Sequence, residues 1–98
     1  MSTVIMQRFD TLTPQQYDQL RELVRWDREV PAGMTYHVAS YDDGVLRMTD
    51  VWDSEEQFND FVQTRIVPGL QQLGIHGLPQ SIVSPVHDVF NLAASTNT

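Results

Sequence analysis

Residues 35–52, TYHVASYDDGVLRMTDVW, decide the fold of this 98-residue chain. Two runs rich in β-branched and aromatic residues flank Asp42-Asp43-Gly44, and an Asp-Gly pair between such runs is the strongest short-range signal for a β-hairpin. A two-residue turn at Asp43-Gly44 places His37 directly opposite Asp50 across the two strands. The stretch therefore predicts an antiparallel hairpin in a defined register.

A strand and a capped helix are predicted before the hairpin. Residues 3–9 are apolar at the start and then alternate, as in a strand. Thr13 has the position of a helix N-cap, with Pro14 in the first turn and Gln16 completing a capping box. We expect this helix to end near Trp26-Asp27, because proline and glycine follow closely. Its apolar stripe consists of Tyr17, Leu20, Leu23 and Val24.

A second helix is predicted directly after the hairpin. Ser54 is its N-cap, and Gln57 lies three residues later. The apolar stripe of this helix consists of Phe58, Phe61, Val62 and Ile66. Pro68-Gly69 interrupts the pattern, so we expect a break there and a short helical piece from Gly69 to Leu73.

The order of elements predicts an α+β fold. Residues 81–90 read as a last strand, and Pro85 places it at a sheet edge because proline cannot donate a ladder hydrogen bond. The order β-α-β-β-α-β with right-handed crossovers leads to a ferredoxin-like antiparallel sheet with strand order 4-1-3-2 and both helices on one face. We expect a single domain over residues 1–98, with 91–98 as a flexible tail. The other sheet face would be bare and apolar, which favours a homodimer that closes into an α/β barrel.

Composition narrows the classes of partner and chemistry. The net charge is −7, and the six basic residues are scattered arginines, so we expect neither nucleic acid nor membrane as a partner. The absence of cysteine excludes disulfides and thiolate chemistry. The N-terminus lacks a signal-peptide pattern and no apolar run is long enough to span a bilayer, so we expect a cytoplasmic protein. No established metal or nucleotide motif is present, and we predict no metal and no cofactor.

The end of the hairpin resembles a known family. Residues 51–58, VWDSEEQF, are similar to the small dimeric α/β-barrel proteins of the antibiotic-biosynthesis-monooxygenase-like (ABM-like) group, closest to an uncharacterised branch. Pro31-Ala32-Gly33 before His37 and Pro85-Val86-His87 near the end resemble it too. The resemblance implies a pocket between sheet and helices, used in that group for cofactor-independent oxidation of phenolic or quinone-like substrates, haem breakdown or isomerisation of small lactones and acids. The first strand has no asparagine, so the asparagine-tryptophan-histidine triad of haem degradation is not matched.

The strongest candidate for chemistry is the pair His37 and Asp50. In the predicted register, eight residues share one face of the hairpin: Thr35, His37, Ala39, Tyr41, Leu46, Met48, Asp50 and Trp52. A carboxylate beside an imidazole holds it in one tautomer, which suits a general base with Asp50 as its orienter. The alternative is a buried polar pair whose two members only satisfy each other.

Other side chains are candidates for binding a substrate. Trp52, Tyr41 and Met48 share the face of His37 and could form an apolar wall, although core packing is their default role. Trp26, at the end of the first helix, could cover one mouth of the pocket, although its default role is a packing cap. His87 could approach His37 only across a dimer, where a metal site shared with Asp50 is conceivable but unsupported by spacing.

These residues lead to two functional hypotheses. The first is a cofactor-independent monooxygenase-like enzyme for a small aromatic or polyketide-like substrate, with His37 as the base. The second is a non-catalytic dimeric ligand-binding or scaffold protein with the same fold.

Overall fold

The computed structural model describes residues 2–90. Its elements are β1 (Thr3–Phe9), α1 (Pro14–Val24), β2 (Met34–Asp42), β3 (Val45–Trp52), α2 (Glu55–Phe61), a π-helical segment (Val62–Ile66), α3 (Val67–Gln72) and β4 (Gln80–Pro85). All strand pairs are antiparallel, in the order β2-β3-β1-β4. The predicted ferredoxin-like α+β fold and its strand order are therefore confirmed, and the predicted tail lies outside the described residues.

The hairpin of β2 and β3 has the predicted turn and register. Asp43 and Gly44 have φ of 54° and 81°, the left-handed pair that a two-residue hairpin turn requires. His37 pairs with Asp50, as predicted. The register shifts at a bulge between Met34 and Tyr36, where Met34 lies opposite Trp52.

The bulge corrects one prediction. Thr35 is exposed, and its hydroxyl donates to the carbonyl of Val51 at 3.1 Å. Met34 packs against the core in its place. Thr35 therefore does not share the face of His37, because a bulged residue leaves the alternation of the strand.

Helix α1 begins with the predicted capping box. The Thr13 hydroxyl accepts a hydrogen bond from the backbone N–H of Gln16 at 3.1 Å, and the side-chain oxygen of Gln16 accepts one from the backbone N–H of Thr13 at 2.9 Å. The helix ends at Val24, slightly earlier than predicted, because Arg25 takes a left-handed conformation with φ of 64°. Trp26 follows the helix and is buried.

The helical region after β3 is continuous, without the break that the sequence predicted. Ser54 caps α2 as expected, and its hydroxyl accepts a hydrogen bond from the backbone N–H of Gln57 at 3.2 Å. The predicted break at Pro68-Gly69 is wrong, because helix α3 (Val67–Gln72) includes both residues and follows the π-helical segment directly. A π-helical turn comes before Pro68 instead; widening the helix there accommodates a residue that has no N–H to donate.

Strand β4 is an edge strand, as Pro85 predicted, but it ends at Pro85 rather than at residue 90. The core lies between the helices and the inner face of the sheet. It consists of Ile5, Phe9, Leu12, Leu20, Val24, Trp26, Leu46, Trp52, Phe58, Phe61 and Leu70. Within residues 2–90, no helix has the length and apolar character needed to cross a membrane.

Candidate active site

Asp50 is the one buried charged side chain among residues 2–90, with 3% of its surface exposed. Burying a carboxylate is costly unless hydrogen bonds replace the lost water. The Trp52 indole Nε1–H donates to Oδ2 at 3.2 Å, and His37 Nδ1 lies 2.5 Å from Oδ1. Both oxygens of Asp50 therefore have a partner inside the protein.

The opposite ring nitrogen of His37 contacts a third element of the fold. His37 Nε2 lies 2.8 Å from the hydroxyl oxygen of Tyr17, on helix α1. An ionised carboxylate can only accept, so His37 donates its Nδ1–H to Asp50. With the imidazole neutral, Nε2 is then an acceptor, and the Tyr17 O–H donates to it. We call the resulting series Tyr17, His37, Asp50 and Trp52 the polar chain.

Tyr17 keeps its proton at neutral pH. Burial raises the pKa of Tyr17 to about 12; the Arg21 charge opposes that rise, and Asp50, Asp18 and Tyr41 add to it. The hydroxyl is therefore a hydrogen-bond donor under ordinary conditions. In the sequence, Tyr17 belongs to the apolar stripe of α1, and no local pattern signals its contact with His37.

Aromatic rings hold His37 and Tyr17 in place. The two rings are nearly parallel, at 4° with centroids 6.4 Å apart. Trp26 packs edge-on against both, with centroids 5.5 Å from Tyr17 and 5.8 Å from His37. Such edge contacts are favourable and restrict ring rotation.

A cavity of about 340 Å³ lies between the sheet and the helices, and His37 and Asp50 line it. This volume lies within the range of small-molecule sites. Most of its walls are apolar or aromatic, including Phe9, Leu12, Leu20, Trp26, Met34, Met48, Phe58 and Phe61. Its polar lining outside the polar chain comes from Gln7, Ser81, Glu55, Asn59 and Gln63. The cavity thus combines a mainly apolar interior with the polar chain and a few other polar side chains.

The predicted site residues fall into two groups. Met48 and Trp26 line the cavity together with His37 and Asp50. Trp52 does not line it: it is fully buried beneath the site, packed against Phe58 and Phe61 with ring centroids 5.6 and 5.5 Å apart.

Tyr41 and His87 also lie apart from the cavity lining. The Tyr41 hydroxyl donates to the carbonyl of Leu12 at 2.8 Å, which ties β2 to the start of α1. His87 lies beyond the end of β4 and is exposed. Among residues 2–90, no three His, Asp or Glu side chains converge as metal ligands.

Solved structures with the same fold cover almost the whole chain. A proposed antibiotic biosynthesis monooxygenase from Chloroflexus aurantiacus matches with a TM-score of 0.66 at 14% identity, over 93% of this chain and 98% of its own. SnoaB, a cofactor-independent oxygenase from Streptomyces nogalater, matches with a TM-score of 0.63 at 12% identity, over 90% and 94%. A protein of unknown function from Nitrosomonas europaea matches with a TM-score of 0.69 at 11% identity, over 92% and 93%.

These comparisons concern the fold. No family model and no curated protein matches the chain. At such low identity, the structural likeness assigns the chain the fold of the ABM-like proteins, as the resemblance at residues 51–58 predicted.

Proposed function

We propose that the protein is a cofactor-independent monooxygenase-like enzyme that acts on a small, flat, enolisable aromatic substrate of polyketide type. The observation that carries the proposal is the 2.5 Å contact between His37 and Asp50, with both residues lining an apolar cavity. A base held in one tautomer inside a poorly hydrated cavity is the minimum that such chemistry requires. SnoaB, whose fold this chain shares, is a cofactor-independent oxygenase.

His37 is the final acceptor of the substrate proton. A phenol or enol gives its proton to the Tyr17 oxygen while Tyr17 passes its own to His37 Nε2, 2.8 Å away. The imidazolium that forms is stabilised by the Asp50 carboxylate. Trp52 acts as a positioning residue, because its N–H fixes the second oxygen of Asp50.

Deprotonation makes the substrate electron-rich enough to react with dioxygen. The enolate passes one electron to O₂, and the carbon radical and superoxide combine to form a C–O bond. The O–O bond then breaks, one oxygen remaining as a ketone and the other leaving as water. For a ring CH₂ the balance is CH₂ + O₂ → C=O + H₂O, so the four electrons that O₂ gains all come from the substrate.

The test is oxygen uptake by the wild type and His37→Ala with a panel of quinols and enolisable polycyclic phenols. We expect the substitution to lower the rate by about 10²–10⁴-fold, the usual contribution of a general base. His76→Ala, at an exposed position before β4, is the matched control and should leave the rate unchanged. Circular dichroism checks that both variants fold, and a folded His37→Ala protein with the wild-type rate would refute the role of His37.

A non-catalytic ligand-binding protein is the second candidate. One observation favours it: within residues 2–90, no buried side-chain nitrogen or oxygen lacks a hydrogen-bond partner, so the polar chain is satisfied without a ligand. Tight binding of aromatic ligands with no oxygen uptake from any of them would select this candidate.

We also propose that the protein is a homodimer formed through the open face of the sheet. Val38, Thr49, Met6 and Ile82 lie directly opposite one another across all four strands. The three apolar members are 44%, 45% and 62% exposed, in the order Val38, Met6, Ile82. An apolar row of this kind across a whole sheet is typical of a surface that is covered by a partner.

A further inference from the structure

We propose that the cavity selects ligands that donate a hydrogen bond, namely neutral phenols or enols whose O–H is received by the oxygen of Tyr17. This selection rests on the proposed function in one respect, that the cavity is the ligand site. It does not require that the bound ligand be oxidised. The preference would come from the direction of the hydrogen bonds in the polar chain.

The direction of the polar chain is fixed at its buried end. Asp50 can only accept, and the indole N–H of Trp52 can only donate. His37 therefore carries its proton on Nδ1, and Tyr17 turns its O–H inward to Nε2. Because that one proton is used inside the protein, the hydroxyl oxygen of Tyr17 has only lone pairs left to offer.

The lone pairs of Tyr17 are available to a ligand. Tyr17 lines the cavity, and His37 is the one hydrogen-bond partner of its hydroxyl within residues 2–90. A phenolic oxygen accepts up to two hydrogen bonds besides donating one. An incoming O–H finds an acceptor there, whereas an ether or ketone oxygen placed at Tyr17 meets another oxygen and gains no hydrogen bond from it.

The charges around the cavity select for a neutral ligand. Its charged lining residues are Asp50 and Glu55, and no arginine lines it. The chain as a whole has a net charge of −7. A carboxylate ligand would therefore be repelled. A neutral hydroxyl group on a flat aromatic ring can donate a hydrogen bond to Tyr17 without this repulsion.

The substitution Asp50→Asn reverses the direction of the polar chain. Trp52 still needs an acceptor, so the amide oxygen faces the indole and the amide NH₂ faces His37. Nδ1 must then accept, the proton moves to Nε2, and Nε2 donates to Tyr17. The Tyr17 O–H is released to point into the cavity, which now offers a donor.

The experiment compares two probes of the same shape, β-naphthol and β-naphthyl methyl ether. Their affinities are measured by calorimetry at about pH 8, above the ordinary titration range of histidine. Burial raises the pKa of Tyr17 to about 12, so its hydroxyl stays protonated in this assay. We expect the wild type to bind the naphthol about tenfold more tightly, the value of one net hydrogen bond.

Variants and a spectroscopic measurement test the cause of that preference. In Asp50→Asn the two affinities should approach parity, because the ether oxygen can now accept from Tyr17. Asp53→Asn removes the same charge at an exposed position and should keep the wild-type preference. Nitrogen-15 spectra of the His37 ring should show the proton on Nδ1 in the wild type and on Nε2 in Asp50→Asn.

Three results would contradict selection by the Tyr17 oxygen. Equal affinity of the wild type for both probes, binding of neither, or a wild-type His37 protonated on Nε2 overturns it. If Asp50→Asn does not fold, the wild-type affinities and nitrogen spectrum still decide. Tighter binding of naphthol without oxygen uptake by any quinol refutes the proposed oxidation but not the ligand selection. Oxygen uptake with equal affinities for the two probes refutes the ligand selection but not the proposed oxidation.

Discussion

Replacing Met6 with aspartate should dissociate the proposed dimer. Met6 lies on β1, an interior strand, and Thr49 and Ile82 are directly opposite it on either side. Two-fold symmetry would bring two such carboxylates into one interface. Burying an unpaired charge costs several kcal/mol, so about 3 kcal/mol for each copy sums to about 6 kcal/mol, or roughly a 10⁴-fold weaker dimer. In the monomer the new side chain faces water, and its cost is limited to about 1 kcal/mol of strand preference.

Sedimentation equilibrium measures the dissociation constant of this dimer directly. Ser40→Asp is the matched control, because Ser40 is exposed on the same strand face as Val38 but lies opposite Arg47, which can pair with the new carboxylate. We expect Met6→Asp to be a folded monomer and Ser40→Asp to remain a dimer. A monomeric wild type, or a Met6→Asp protein that dimerises like the wild type, would refute the assignment of this face.

Two further predictions concern stability. The pKa of Tyr17 is about 12 in the folded protein against 10.0 when unfolded, so the folded state retains that proton more tightly. The protonated Tyr17 hydroxyl contributes its full share of stability below pH 10, and that share is lost as the pH rises towards 12. The charged and polar groups that influence the pKa of Tyr17 are Arg21, Asp50, Asp18 and Tyr41. Urea unfolding at alkaline pH should show a shallower loss of stability in Tyr17→Phe, and an unchanged slope would contradict the burial of this hydroxyl. Separately, Gly69→Ala would bring a Cβ to 2.9 Å from Val24 and 3.0 Å from Leu20, so we expect about 1–3 kcal/mol of destabilisation. Gln71→Ala, exposed on the same helix, should change stability by less than about 0.5 kcal/mol, and equal effects of the two would contradict the close packing of α1 and α3.

The hairpin could be predicted from sequence because its geometry is set locally. An Asp-Gly turn of two residues fixes every pair along the strands, and the contact of His37 with Asp50 follows from that register alone. The caps Thr13 and Ser54 are local in the same sense, since their hydrogen bonds reach only three residues along the chain. These features required no knowledge of how the elements pack.

The predictions that failed depended on backbone irregularities or on packing. The bulge beside Thr35 and the π turn before Pro68 each change the register by one residue, and neither has a sequence signal that the alternation or helical period reveals. Trp52 faces the same side as His37, as predicted, but it lies at the end of β3, beneath α2 rather than beside the cavity. The sequence could predict which face of the strand Trp52 lies on, but not how deeply its side chain is buried beneath the helices.

Tyr17 joins the site because one hydrogen bond fixes the start of α1 against β2 and the capping box sets where the helix begins. Tyr41, predicted as a pocket wall, donates to the Leu12 carbonyl just before the helix. The capping box then starts the helix at a defined residue, and the Tyr17 amide donates to the Thr13 carbonyl at 2.9 Å within the first turn. With the start of α1 held by Tyr41 and its rotation set by the cap, the Tyr17 ring meets His37 at 2.8 Å. The hairpin thus supplies both ends of the arrangement: His37 and Asp50 as the polar pair, and Tyr41 as the anchor that brings the helical hydroxyl to it.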